Sequence, residues 1–175
     1  MNRTFLIADT HFGHKNIIKY CNRPFNTVKH MDDILRSGWN AVVQPEDTVY
    51  HLGDFTMDKN QEVVAALLSK LNGHKHLIIG NHDYLKIWGY VEAGFESVHT
   101  SLKIKIGEHE VYLAHDPAVK VALPKEATLL HGHIHGLWLQ NVDNHLINVG
   151  VDVWSFAPAS EEELIPLIEM KTRWG

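Results

Sequence analysis

The amino-acid sequence predicts an α/β fold in which two β-sheets pack together with helices outside. Helix and strand patterns alternate in the first half of the chain, strand patterns dominate the second half, and a capped helix pattern closes the sequence. With 175 residues, 45% of them hydrophobic, the chain is long enough for one sizeable core. We therefore expect a single domain over positions 1–175.

The first half has the order strand, helix, strand, helix, strand. Thr4 to Ala8 is a short apolar run, which indicates a buried strand. Thr27 to Val43 carries apolar residues three or four positions apart, which is typical of an amphipathic helix. Lys59 to Leu71 repeats that pattern, and the intervening strands are predicted at Thr48 to Leu52 and His76 to Ile79.

Strand patterns dominate the chain after position 83. Gly107 separates two alternating runs and predicts a hairpin. Ser160, followed three residues later by Glu163, forms a capping box that predicts a final helix. We interpret this half as an antiparallel extension, and its predicted strands are Val98–Ile106, His109–Ala114, Thr128–Leu130 and His145–Val149.

Charge and cysteine content exclude several classes of protein. The net charge of −5 gives no broad basic face, so stable binding along a nucleic-acid backbone is not expected. Cys21 is the only cysteine, which excludes an intrachain disulfide. The apolar run from Phe5 to Ala8 is too short for a signal peptide, and no stretch has the length of a membrane span. We expect a soluble cytoplasmic protein with no membrane partner; its oligomeric state stays open.

Polar clusters follow five of the predicted strands, where open α/β sheets build their functional sites. In extended chain, residues two apart project to the same side, so each Asp-x-His or His-x-His pair can approach one site. The pooled side chains are carboxylates, an amide and imidazoles without a thiolate, which suits Mn, Fe, Zn or Ni. The clusters are Asp9-Thr10-His11, Gly53-Asp54, Gly80-Asn81-His82-Asp83, His115-Asp116 and Gly132-His133-Ile134-His135.

In this order, over positions 9–135, the motifs resemble those of the calcineurin-like metallophosphoesterases. The stretches Asp9 to Phe25 and Asn148 to Trp154 further resemble a group of small bacterial and phage members. The resemblance implies a four-layer α/β/β/α sandwich with two mixed sheets. It also implies metal-dependent hydrolysis of phosphate esters.

The resemblance assigns roles to eight residues of the clusters. Two divalent ions are expected, manganese first, with Fe, Zn or Ni as alternatives. Hydroxide generated from water by the two metals would attack the phosphate ester, and His82 corresponds to the general acid that protonates the leaving alkoxide. The first metal would be bound by Asp9, His11 and His135, the second by Asn81, His115 and His133, and Asp54 would bridge the two.

One motif departs from the family's protein phosphatases. Their Gly-Asp motif continues into Asp-Arg-Gly, whereas Asp54 is followed here by Phe55-Thr56-Met57, without the phosphate-binding arginine. Arg23 and His14 are the substitute candidates for substrate contact, because both lie in the loop after the first cluster. A diester carries less charge than a monoester, so a site poor in arginine favours phosphodiesters, with a small phosphate ester or a nucleotide as substrate.

Three alternatives remain open from the sequence. The first is a phosphomonoesterase, and the second is a non-catalytic scaffold, as one retromer subunit of this fold is. A scaffold has no need of a general acid, so the presence of His82 discriminates between an enzyme and a scaffold. A nuclease is the third, and it would require basic segments that this acidic chain lacks. No role is assigned to Asn148 or Asp152.

Overall fold

The computed structural model describes residues 2–170, so Met1 and residues 171–175 of the expected domain range lie outside the described residues. The strands are β1 Thr4–Ile7, β2 Thr48–His51, β3 His74–Ile78, β4 Ser97–His99, β5 Ser101–Ile106, β6 His109–Ala114, β7 Thr128–His131, β8 Gln140–Asn141, β9 Leu146–Asn148 and β10 Ala159–Ser160. The helices are α1 Ile17–Tyr20, α2 Val28–Val42, α3 Gln61–Leu68, α4 Ile87–Ala93 and α5 Glu161–Met170, with short 3-10 helices at Pro117–Ala122, Val142–Asn144 and Val151–Val153.

The strands form two mixed sheets of five strands each, as the sequence predicted. The order in the first sheet is β10, β1, β2, β3, β4; β1 to β4 are parallel and β10 is antiparallel to β1. The order in the second sheet is β5, β6, β7, β9, β8; β6, β7 and β9 are parallel, whereas β5 and β8 are antiparallel edge strands.

The predicted antiparallel extension is wrong in the centre of the second sheet. Among residues 2–170, only the Gly107 hairpin, which joins β5 to β6, and the pairing of β8 with β9 are antiparallel in that sheet. Parallel neighbours need a crossover connection. The crossovers in this half are built from loops, 3-10 helices and the short edge strand β8, and they lack the helical hydropathy period that would have predicted them.

The predicted strand Val98–Ile106 is divided between the two sheets. Val98 lies opposite Leu77 in the first sheet, and β5 begins at Ser101 in the second. The alternation of apolar and polar residues continues across the transition. Alternation with a period of two indicates which face of a sheet each side chain lies on, but it does not indicate which sheet the strand belongs to. The sequence pattern therefore could not show the division.

The three predicted helices are present as α2, α3 and α5. The capping box before α5 is confirmed, because the Glu163 carboxylate accepts from the Ser160 N–H at 2.8 Å and the Ser160 hydroxyl accepts from the Glu163 N–H at 3.3 Å. The sequence analysis missed α1 and α4, which are only four and seven residues long. Within residues 2–170, no helix combines the length and the apolar character that a bilayer crossing requires.

Two large apolar clusters lie on opposite faces of the first sheet. Phe5 and Ile7 of β1 pack towards the helices, in the cluster that contains Trp39 of α2. Leu6 and Ala8 point the other way, into the cluster shared with the second sheet and α5. Alternate residues of this strand thus pack into two different hydrophobic clusters, because successive side chains of a strand point to opposite faces of the sheet.

The outer face of the second sheet is covered by residues of a loop and of the segment after a 3-10 helix. Ala114, Leu129 and Leu146 are buried there against Leu123, which follows a 3-10 helix, and Trp138, which lies in a loop. The described packing is therefore an α/β sandwich of two mixed sheets with helices. It does not establish an outer α-helical layer over the second sheet, which the four-layer arrangement would require.

Candidate metal centre

The polar clusters converge at one end of the sandwich because of the strand directions. β1, β2 and β3 are parallel, so the residues after their carboxyl ends share one edge of the first sheet. β6 and β7 are also parallel, and the residues after them share one edge of the second sheet. The hydrogen bonds and close contacts described below join these two edges into one site.

Asp9, His11 and His135 form the first group of potential ligands, with one donor atom of each lying within 4.8 Å of the others. The His11 ring stacks on His135 at 5.3 Å between centroids. Only 1% of His11 is exposed, and neither of its ring nitrogens has a hydrogen-bond partner among the described residues. A buried imidazole without a partner costs free energy, and a bound metal ion would remove that cost.

Asp54 lies between the two predicted groups of ligands. Its Oδ2 is 3.3 Å from Nε2 of His11 and 3.5 Å from Nε2 of His115. Its Oδ1 accepts from the His82 N–H at 2.8 Å. One carboxylate oxygen thus faces a histidine of each group, which is the position that a bridging ligand needs.

Asn81, His115 and His133 form the second group. The Asn81 carbonyl oxygen is 2.9 Å from Nε2 of His115 and 3.0 Å from Nδ1 of His133. The His115 Nδ1–H donates to the Leu52 carbonyl at 2.8 Å, which leaves a lone pair on Nε2. Lone pairs from an amide and an imidazole therefore point at a common region, and this donor set fits a divalent cation.

Backbone conformation singles out the same residues. Asp9, His11, Asp54, His133 and His135 have φ between 49° and 72°, and they are five of the nine non-glycine residues with positive φ among residues 2–170. Side chains rarely adopt this left-handed region, because it costs free energy. Its concentration at five predicted ligands indicates that the fold maintains this strain to direct their side chains.

Glycines let the backbone approach these ligands closely. A Cβ atom at Gly80 would lie 2.2 Å from Oδ1 of Asp54, and one at Gly132 would lie 2.8 Å from Oδ2 of Asp9. A Cβ at Gly53 would lie 2.6 Å from Nδ1 of His115. Any side chain at these positions would displace a candidate ligand.

Burial disfavours the charged forms of Asp9 and His11. It raises the pKa of Asp9 to about 6, although His135 and His115 oppose the shift, and it lowers the pKa of His11 far below its ordinary value. The buried Asp9 carboxylate lies beside the uncharged His11 imidazole, so a bound cation would be favourable there, and the donor set of the site can bind one.

Arg23 lies beneath the site, which corrects its expected place in substrate contact. Its guanidinium donates to both oxygens of Asp152, at 2.8 and 2.9 Å. It also donates to the carbonyls of Thr10 at 3.0 Å and Asp9 at 2.6 Å. Arg23 is buried, and these bonds fix the backbone of the first cluster instead of leaving the guanidinium free for a phosphate.

His14 and His82, the other two predicted functional residues, both lie beside His11. Their ring centroids are 5.4 Å and 5.6 Å from that of His11. Both are partly exposed, so each can reach a molecule bound over the metal ligands. Nδ1 of His82 lies 2.9 Å from the Tyr84 hydroxyl.

Three residues that the sequence analysis left without a role support the ligands. Asp83 accepts from the backbone N–H groups of Gly80 and Asp54, at 2.8 and 2.9 Å. Asp152 faces Nδ1 of His135 at 3.1 Å, and buried Asn148 donates to the His135 carbonyl at 2.7 Å. The resemblance of positions 148–154 to the small phage and bacterial group was the one sequence signal for the last two.

Fold and site together define an α/β sandwich protein with a buried carboxylate and histidine site suited to metal ions. No family model matches the chain. Protein MJ1445 of Methanocaldococcus jannaschii, which is uncharacterized, is 38% identical, and the match covers 97% of this chain and 93% of that protein. The chain belongs to the same family as MJ1445.

More distant similarities extend this comparison. The gene 66 protein of Mycobacterium phage L5 is 29% identical, over 96% of this chain and 95% of the phage protein. A protein of unknown function from Aquifex aeolicus has a similar structure, with a TM-score of 0.77 and 28% identity over 96% of this chain and 100% of that one. An archaeal phosphodiesterase, at a TM-score of 0.49 and 18% identity, is too distant to bear on function.

Proposed function

We propose that this protein is a divalent-metal-dependent phosphoesterase with a two-metal site and a preference for phosphodiesters. The observation that carries this proposal is the convergence of seven candidate ligands, among them His11, whose two ring nitrogens are buried without a hydrogen-bond partner among residues 2–170. Strain at five of these residues and glycines packed against their side chains support it.

The residues divide into two sets of ligands around one shared carboxylate. Asp54 faces both sets and would bridge the ions. When bound, the two ions would supply Lewis acidity that neutralises phosphoryl oxygens and lowers the pKa of water. Manganese is the first expectation for this oxygen and nitrogen donor set. One ion would be held by Asp9, His11 and His135, and the other by Asn81, His115 and His133.

His82 would donate a proton to the departing oxygen. Its backbone N–H is fixed on Asp54, and its ring lies beside His11, so it adjoins both the bridging position and the first set of ligands. It is partly exposed, which lets a substrate reach it. General acids of this kind accelerate reactions by about 10² to 10⁴-fold.

The arginines favour a substrate of low charge. Arg23 pairs with Asp152 beneath the site, Arg3 pairs with Asp47, and Arg36 pairs with Asp33. No other arginine lies within residues 2–170, so that part of the chain offers no free guanidinium for the additional charge of a monoester. This distribution supports a phosphodiester over a monoester.

The test is a hydrolysis assay on protein reconstituted with manganese. We expect bis(4-nitrophenyl) phosphate and cyclic nucleotides to be hydrolysed faster than 4-nitrophenyl phosphate. Faster hydrolysis of the monoester would establish the alternative, a phosphomonoesterase. Full metal loading without turnover of any ester would contradict the enzyme and favour the scaffold.

His82→Ala tests the proton donor. For an alkyl ester, a poor leaving group, we expect kcat to fall by about 10² or more, because the departing alkoxide needs a proton. An activated nitrophenyl ester should lose far less, and the metal content should not change. His109→Ala, at the start of β6, is the matched control and should behave as the wild type does. Equal losses on both esters would exclude the acid role.

A further inference from the structure

Tyr84 lies where it can control the orientation of the His82 ring. Its hydroxyl is 2.9 Å from Nδ1 of His82, and the two rings meet edge to face with centroids 6.1 Å apart. The residue is 43% exposed, so burial in a core does not explain its position. Nε2 of His82 has no protein partner among residues 2–170 and is the nitrogen free to meet a substrate.

Tyr84 is tied to the segment that follows Asp54. The Lys59 ammonium lies 4.6 Å from the centroid of the Tyr84 ring, a cation–π contact. The His82 backbone N–H also donates to Asp54. The backbone of His82 therefore contacts the segment 54–59 directly, and its ring contacts the same segment through Tyr84. A ring held by a hydrogen bond on a backbone that is itself hydrogen-bonded loses rotational freedom before substrate arrives, which lowers the cost of reaching a productive geometry.

The hydrogen bond distinguishes the two nitrogens of His82. The acid is the doubly protonated ring: its Nδ1–H donates to the Tyr84 oxygen, and the proton available for transfer is the one on Nε2. In the transfer, the Nε2–H bond breaks and an O–H bond forms on the departing alkoxide as its P–O bond breaks. The electron pair of the N–H bond stays on Nε2, and Nδ1 keeps its proton.

We propose that Tyr84 is a positioning residue that presents Nε2 of His82 to the leaving group. This inference rests on the proposed function, because it assumes that His82 is the proton donor. Tyr84 acts only through His82, so its hydroxyl should influence departure of the leaving group and not binding of the substrate.

Tyr84→Phe tests the proposal, because it removes the hydroxyl and keeps the ring that contacts Lys59. For an alkyl ester we expect kcat to fall about five- to tenfold, the effect of one lost hydrogen bond, while KM changes less than about twofold. An activated nitrophenyl ester should change less than about twofold in both constants. Tyr20→Phe is the control: Tyr20 also meets a site histidine edge on, His14 at 6.3 Å, but its hydroxyl makes no hydrogen bond within residues 2–170.

A second measurement does not depend on turnover. Long-range ¹H–¹⁵N correlation spectra of the protein loaded with diamagnetic Zn²⁺, with the His82 signals assigned from His82→Ala, report which ring nitrogen carries the proton. In the neutral ring, the form left after proton transfer, we expect the proton on Nδ1 in the wild type and a mixture of tautomers in Tyr84→Phe. An unchanged tautomer, or equal loss of kcat on both esters, would overturn the positioning role even in an active enzyme. Absence of all turnover in the wild type would instead overturn the proposed function and, with it, this role.

Discussion

Asp152 shows at the scale of a single residue how distant parts of the chain support one candidate ligand, His135. Its carboxylate meets Nδ1 of His135 and both donors of the Arg23 fork. A carboxylate behind a metal-binding histidine fixes the orientation of the ring and raises its basicity as a ligand. Because Arg23 also fixes the carbonyls of Asp9 and Thr10, Asp152 connects the first and last predicted ligands.

Asp152→Asn should weaken metal binding without removing any ligand. We expect manganese affinity to fall by about 10- to 100-fold, because His135 loses its charged partner. Titration calorimetry on the metal-free protein measures this. The control is Asp143→Asn on an exposed 3-10 helix, which should bind as the wild type does. Unchanged affinity in Asp152→Asn would show that Asp152 serves Arg23 alone.

Gly80→Ala should exclude metal by a purely steric effect. The added methyl group would lie 2.2 Å from Oδ1 of Asp54, and that carboxylate would have to move. We expect less than one ion per chain by elemental analysis, with the protein still folded. Gly136→Ala is the matched control, since its methyl group would meet the nearest described atom, Cβ of Asp152, at an ordinary 3.8 Å. Two ions retained in Gly80→Ala would remove Asp54 from the bridging position.

At the scale of elements, helix α2 supports the first sheet through its buried stripe. Trp39 has no exposed surface, packs in the cluster between the helices and the first sheet, and donates from Nε1 to the Asn72 carbonyl at 3.0 Å. Trp88 of α4 is 59% exposed. Two tryptophans of the same chain therefore differ in what their removal should cost.

Trp39→Ala should destabilise the protein by about 3 to 5 kcal/mol, because a large buried side chain leaves a cavity. Trp88→Ala should stay within about 0.5 kcal/mol of the wild type. Urea unfolding followed by far-ultraviolet circular dichroism gives both values. A cost for Trp88→Ala as large as that for Trp39→Ala would indicate that α4 is covered in solution.

At the scale of the whole molecule, the candidate ligands come from both sheets, so bound metal should stabilise their packing. At free metal about 100 times its Kd, linkage predicts about 2.7 kcal/mol of stabilisation per site. Chelation should therefore lower the melting temperature, and added manganese should restore it. Asp54→Asn should carry fewer ions and show a smaller change. A melting temperature that is indifferent to chelator would argue against a metal centre in the folded protein.

Sequence patterns alone indicated most of the individual elements. The capping box at Ser160 and Glu163, the hairpin at Gly107 and the apolar stripe of α2 are local features, so hydropathy and propensity are sufficient to predict them. Polar clusters at predicted strand ends were visible in the sequence, and the resemblance of their order to the motifs of a known family named the seven candidate ligands among them. The structure brings these seven residues together, and their role as ligands stays a proposal.

Tertiary structure decided what depends on neighbours distant in sequence. Arg23 is 129 positions from Asp152, and no local pattern records that the two pair beneath the site. The division of the chain between the sheets at Thr100 was equally hidden, because a strand has the same period in either sheet. The sequence determined which groups stand at the strand ends. The packing of the two sheets decided which of them converge and which lie underneath, since strand direction and burial are properties of the assembled fold.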